Sequence, residues 1–439
     1  MRRCSRMLVG LLLVLLAPPC DALAGMTSQY GGFLEAHTEL YPQRPNPADT
    51  HALALWQAQL WGQGSLHERL SWRASADFRL DTHDNVARDR WFDLDQRGFQ
   101  QPAGSLRELY VTAKLGSLDV RLGKQEIRWG RADGFNPTDN LMPYDYLNIV
   151  AEERIPVPAV KVDAYIRDTR LEAAWIPWFT PTRLPLLNQR WFPRLPTSAQ
   201  LPLGPMGEAV DVDLRFQDGH VDFPARTLSN GQWGLRWDQL VSGGEFSLSY
   251  FDGFDDLPVF QPTTSLLPSM EPRPQVLVTL NREYHRLRVF GADFASALGP
   301  FGVRGELAYF DQTGPVNRDR LVFIVGLDRT WGDWFAIAQY TDQIPARDFQ
   351  NALLFPDQGL RSSILYRIER TLSASQSVEL KGAIGVRDGG FLVQVGHSVA
   401  LSDAWKLKVG ITLLGGARSS YLGQYRDNNY LSLQLRYSF

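Results

Sequence analysis

The side chains able to do covalent or metal chemistry are scattered along this chain. Its seven histidines, His37, His51, His67, His83, His220, His285 and His397, form no HExxH and no close ligand spacing. No GxSxG supplies a strained nucleophile, and Asp252, Asp255 and Asp256 lack the spacing of a calcium loop. The chain is therefore not expected to be an enzyme or to hold a metal or cofactor. What the spacing does offer is charge on one face. Between Arg69 and Leu80, Arg69, Arg73, Asp77 and Arg79 share the odd positions with serines, while Leu70, Trp72, Ala74, Ala76, Phe78 and Leu80 take the even ones. A closed soluble core would not accept such a face, because buried charges must be paired. A wall facing water accepts it, and there the chemistry is the partial replacement of a solute's hydration shell.

The elements that would position such walls recur along the chain. From Gly25 onward, segments of about ten residues with period-two patterning alternate with very short and long connections, the rhythm of a membrane-spanning barrel. The expected fold is all-β: a transmembrane antiparallel barrel of about 18 strands, with 16 as the alternative, short periplasmic turns and long extracellular loops. Aromatic residues make up 12% of the chain and include 13 tryptophans, which suits two interfacial girdles. A soluble propeller is disfavoured, since no blade-length repeat is present.

Arg2, Arg3 and Arg6 precede the apolar run Met7 to Ala17, and Ala22-Leu23-Ala24 follows. This reads as an export signal over residues 1–24, leaving residues 25–439 as the barrel. Both cysteines, Cys4 and Cys20, fall within the signal. The remaining chain has 42 basic and 47 acidic residues, a net charge of −5, so nucleic acid is not an expected partner.

The closing segment Tyr430 to Phe439 sets Leu431, Leu433, Leu435, Tyr437 and Phe439 against Ser432, Gln434, Arg436 and Ser438. Alternating apolar residues ending in Phe resemble the signal by which the Gram-negative outer-membrane assembly machinery recognises its barrels. That resemblance implies Tyr437 and Phe439 as an assembly signal, a bacterial outer-membrane location, and lipid, lipopolysaccharide and the assembly machinery as partners. Gly123 to Gly130 (GKQEIRWG), followed by Asn136-Pro137-Thr138-Asp139, is similar to uncharacterised porin-like families of proteobacterial outer membranes. The architecture also looks like that of alginate-export channels, although no selectivity residues match.

Leu118, Val120 and Leu122 would face lipid in a fifth strand over 117–131. The same parity points Lys124, Glu126 and Arg128 outward, at about 2–4 kcal/mol per basic residue at the midplane. A bulge at Gly123 would turn them into the lumen and turn Ile127 and Trp129 out. Alternatively, this end of the strand stands above the membrane. The inward set is Arg69, Arg73, Arg79, Lys114 and Arg121 against Asp77, Glu108 and Asp119, joined by Lys124 and Arg128 under the bulge reading. The loop from Ala132 carries Asp133, Asp139 and Asp145, expected as a constriction opposite this basic wall. The long connection from Pro177 to Asn230 folds either into the lumen or into an external cap. Two functions follow: a passive channel for small polar solutes, with anions and oligosaccharides among the candidates, or a loop-plugged barrel acting as adhesin, receptor or scaffold.

Overall fold

Alternation of apolar and polar residues has a direct outcome in the computed structural model, which describes residues 27–45, 49–91, 96–151, 153–202, 208–268, 273–313, 319–344 and 360–439. The export signal and both cysteines lie outside these. The barrel strands begin with Thr27–Leu40, Ala52–His67, Leu70–Asp81, Gln101–Leu115, Leu118–Gln125 and Val157–Ile166. They continue with Thr169–Ile176, Gln232–Val241, Gly244–Phe254, Arg286–Leu298, Phe301–Gln312 and Arg320–Trp331. Trp334–Ile344, Ser363–Ser373, Gln376–Gly385, Phe391–Ala400, Trp405–Gly415 and Tyr430–Ser438 complete the set of 18.

Each barrel strand pairs antiparallel with its neighbours, and Tyr430–Ser438 pairs back onto Thr27–Leu40. Closure leaves no backbone edge exposed to lipid. At the seam, the amide of Gly32 donates to the carbonyl of Phe439 at 2.9 Å, and the amide of Phe439 donates back to Gly32 at 3.1 Å. Arg436 reinforces the seam through an ion pair to Glu35 at 2.6 Å.

Outward positions are apolar and exposed, as with Leu109, Leu122, Leu171, Leu235, Phe290, Leu327 and Leu433. At the short-turn end Trp331 stacks on Trp334 at 6.3 Å, and Trp405 lies 4.9 Å from Tyr437. An apolar band flanked by aromatic rings is the exterior of a membrane barrel.

Two long connections build structure of their own. Ser198–Pro202, Ala209–Asp222, Val259–Leu267 and Gln275–Glu283 form a separate four-stranded sheet. Its core includes Leu184, Phe192, Val212, Val276 and Leu280. The region Pro177 to Asn230 is thus divided: its latter part belongs to this sheet, while residues 179–192 cross the barrel mouth. There Trp191 packs on Tyr425 and Tyr430 at 5.8 and 6.3 Å.

The fifth barrel strand is shorter than expected. It ends at Gln125, its register with both neighbours runs on unshifted, and Gly123 adopts φ +130°. No bulge reverses the parity. Ile127 and Trp129 do not face lipid but are buried in an apolar core within the barrel, with Leu141, Met142, Ile176 and Val289. The alternation continues past Gln125 because a second apolar environment, inside the wall, receives it.

Candidate pore and constriction

The loop over residues 126–156 enters the lumen and touches the wall all round. Its first turn is held by one carboxylate. Glu306, inward on Phe301–Gln312, accepts from the amides of Arg131 and Ala132, each at 2.6 Å. It also accepts from Asn136 Nδ2 at 2.9 Å, Thr138 Oγ1 at 2.8 Å and the Thr138 amide at 3.3 Å. Only a residue without Cβ admits this approach, since a Cβ on Gly130 would lie 2.6 Å from Glu306 Oε1, and Gly130 has φ +88°. Trp129 donates to Glu172 at 2.9 Å. The Trp-Gly and Asn-Pro-Thr-Asp elements of the sequence are therefore the mooring of the lumenal loop.

Arg131 next reaches Asp238 at 3.3 Å and Glu245 at 2.9 Å, and pairs with Asp293. Asp133 meets Arg367 on the far wall at 3.3 Å. Asp139 is buried against Arg154 of its own loop at 3.0 Å; burial pushes its carboxyl up, against the pull of that guanidinium. Asp145 pairs with Arg183 from the mouth segment and accepts from Gln101 at 2.8 Å. Asn148, at the loop tip, donates to Glu39 at 3.4 Å. Glu153 returns the loop to Arg79, with Arg107 at 3.5 Å.

The wall residues read from the sequence fall into distinct places. Arg73 donates to Glu108 at 2.6 Å and to Gln63 at 2.8 Å. Asp77 sits between Arg79 at 3.3 Å and Arg107 at 3.5 Å. Arg121 stacks over Tyr110 at 4.6 Å, and Asp119 lies opposite Lys114 near the short-turn end. Lys114 is exposed there. Arg69 is not on the wall: it occupies the turn between Ala52–His67 and Leu70–Asp81, where the alternation has already ended, and is exposed. Lys124 is buried at the end of its strand, and Arg128 is exposed beside Glu126 at 3.0 Å. Burial opposes ionisation of Glu126, but Arg107 at 2.6 Å and Arg128 hold its carboxyl below the usual range. Tyr437 and Phe439 flank the barrel seam, their rings 6.0 Å apart.

An acidic loop facing an unneutralised basic wall is accordingly not the arrangement. Asp133, Asp139 and Asp145 each have a cation of their own, and among the described loop acids Glu126 and Glu153 meet the wall of Arg79 and Arg107. The feature with room beside it lies elsewhere. A cavity of about 170 Å³ and another of about 200 Å³ adjoin the loop tip and share Val150, Ala151, Lys381 and Gln394. Those four residues form a narrow seam between tip and wall. Lys381 is legible as an inward cation, since Glu379 and Lys381 alternate with Val378 and Leu380, but the roles of Glu306, Arg131 and Arg107 depend on partners distant in the chain.

The family model described as "Protein of unknown function (DUF1302)" matches residues 59–328. No curated protein matches. Among solved structures, the chain is similar to OccAB4 of Acinetobacter baumannii, with 9% identity, 94% of this chain and 99% of that chain covered, and a TM-score of 0.52. It is also similar to OccD3 (OpdP) of Pseudomonas aeruginosa, with 10% identity, 95% and 92% covered, and a TM-score of 0.52. At such identities the likeness is one of fold: a closed barrel of the outer-membrane type.

Proposed function

The chain belongs to the DUF1302 family, and from that premise, joined to a closed barrel with an apolar exterior, we propose that it is an outer-membrane channel for passive passage of small polar solutes. The observation carrying this reading is the pair of lumenal cavities meeting at Val150, Ala151, Lys381 and Gln394. Passage through such a seam needs side chains that partly replace hydration and release the solute again. No covalent step is required. The cavity sizes favour single small molecules over oligosaccharides. Most wall cations have carboxylate partners, among them Arg73, Arg79 and Arg436, which supports weak anion selectivity rather than strong.

A second reading has its own support: Trp191 and the segment around it lie across the mouth, as a barrel closed by its loops and serving as receptor or scaffold would require. Single-channel recording of the refolded protein in planar bilayers under a salt gradient separates the two. The channel reading expects small steady conductance whose selectivity moves toward cations in Lys381→Glu. A silent barrel that conducts only after residues 179–197 are shortened would favour the plugged scaffold.

A further inference from the structure

The side of the seam lined by Leu365, Ala383 and Leu392 has a chemical polarity of its own. In the strand register, Leu365, Ala383 and Leu392 form one inward row, and Arg367, Lys381 and Gln394 form the next. Across the gap the lumenal loop presents Phe135, Ile149 and the stacked pair Tyr144–Tyr146, whose rings lie 4.7 Å apart at 11°. The cavity between them is about 170 Å³, close to the roughly 150 Å³ of an apolar cavity that accepts benzene. It is thus sized for one ring, with apolar sides and a polar floor.

The floor carries a cation that the protein engages only in part. Arg367 contacts Asp133 through Nη1 at 3.3 Å, and its guanidinium is still 35% exposed where it lines the cavity. A guanidinium has five N–H groups in a fixed fork, so a second acceptor fits beside Asp133. From this we infer that the cavity is a binding site for a single-ring amphipathic solute with an anionic, hydrogen-bond-accepting head, its ring between the tyrosines and Leu392 and its head at Arg367. The apolar row selects the body and Arg367 selects the head; neither suffices alone.

The inference deepens the channel reading, on which only its transport arm rests. Binding is measured by equilibrium dialysis of the refolded full chain in lipid nanodiscs, with benzoate, acetate and toluene as probes. Benzoate is expected to bind at least about tenfold more tightly than acetate, which lacks the body, or toluene, which lacks the head. Arg367→Gln should lower benzoate affinity about tenfold or more and leave toluene unchanged. Leu392→Gln should weaken both ring compounds, with heat-modifiable gel mobility reporting that each barrel has folded. Equal affinity for the three probes, or no benzoate uptake beyond that of empty nanodiscs, overturns the site. Benzoate binding by a barrel that never conducts overturns the channel and leaves the site; conduction without benzoate binding does the reverse.

Discussion

Replacing Glu306 by Gln tests the mooring of the lumenal loop most directly. The wild-type carboxylate accepts five hydrogen bonds from Arg131, Ala132, Asn136 and Thr138. Bonds to a charged acceptor contribute about 1.5–3 kcal/mol each when taken singly. Five converging on one side chain are not additive, and a glutamine would turn an amide N–H₂ toward donors. The expected loss is about 3–5 kcal/mol of docking free energy, the range for breaking one member of a buried charged network. Against this, the buried side chains of Ile127, Trp129, Leu141 and Met142 hold the loop by about 6–12 kcal/mol together, at about 1.5–3 kcal/mol each. The loop should therefore stay docked most of the time while opening about 150- to 4,000-fold more often. Hydrogen exchange at the Arg131 and Ala132 amides should speed up by that factor, and bilayer recordings should gain brief openings of larger conductance. Unchanged exchange at both amides, with an unaltered current trace, would refute the mooring argument.

Three further outcomes follow from the same geometry. Gly130→Ala forces a Cβ against Glu306 at positive φ, so it should reproduce the Glu306→Gln openings in bilayers at a cost of about 1–3 kcal/mol. Trp191→Ala empties the contact with Tyr425 and Tyr430 and should raise mean conductance while lowering stability by about 3–5 kcal/mol, read from urea unfolding in detergent. Glu126 has a depressed folded pKa, so its stabilisation is complete above the unfolded value of about 4.3 and disappears as pH falls through the lower folded value. Glu126→Gln should lower neutral-pH stability by up to about 1 kcal/mol and flatten the acid limb below about pH 4; an acid limb of undiminished slope would assign it to other carboxylates.

The barrel strands were legible because lipid on one side and water on the other impose a period of two on each of them. That criterion has no purchase on the sheet of Ser198–Pro202, Ala209–Asp222, Val259–Leu267 and Gln275–Glu283, whose strands never face lipid. Unshifted alternation sets Ile127 and Trp129 inward, as they are; it is the bulge alternative that turned them to lipid, since periodicity reports that alternate residues are apolar and not which apolar surroundings receive them. Arg69 fits the alternation yet sits in a turn, because patterning does not mark where a strand stops. The conspicuous Trp-Gly and Asn-Pro-Thr-Asp elements could be seen but not interpreted without Glu306, which is about 170 residues away. Burial in the lumen pairs residues across the barrel, and a linear pattern has no record of such pairing.

The nesting of loop within wall within mouth segment links parts of the barrel that are not neighbours in the sheet. The lumenal loop is tied to Glu306, Arg367 and Glu39, which lie on strands both before and after it, and Trp191 then rests on the last strand at Tyr430. Once Thr27–Leu40 and Tyr430–Ser438 have zipped, that segment lies across the way in. The loop thus acts as an internal spoke, bracing strands that the sheet alone joins only through their neighbours, so that loosening it is felt on opposite sides of the wall at once.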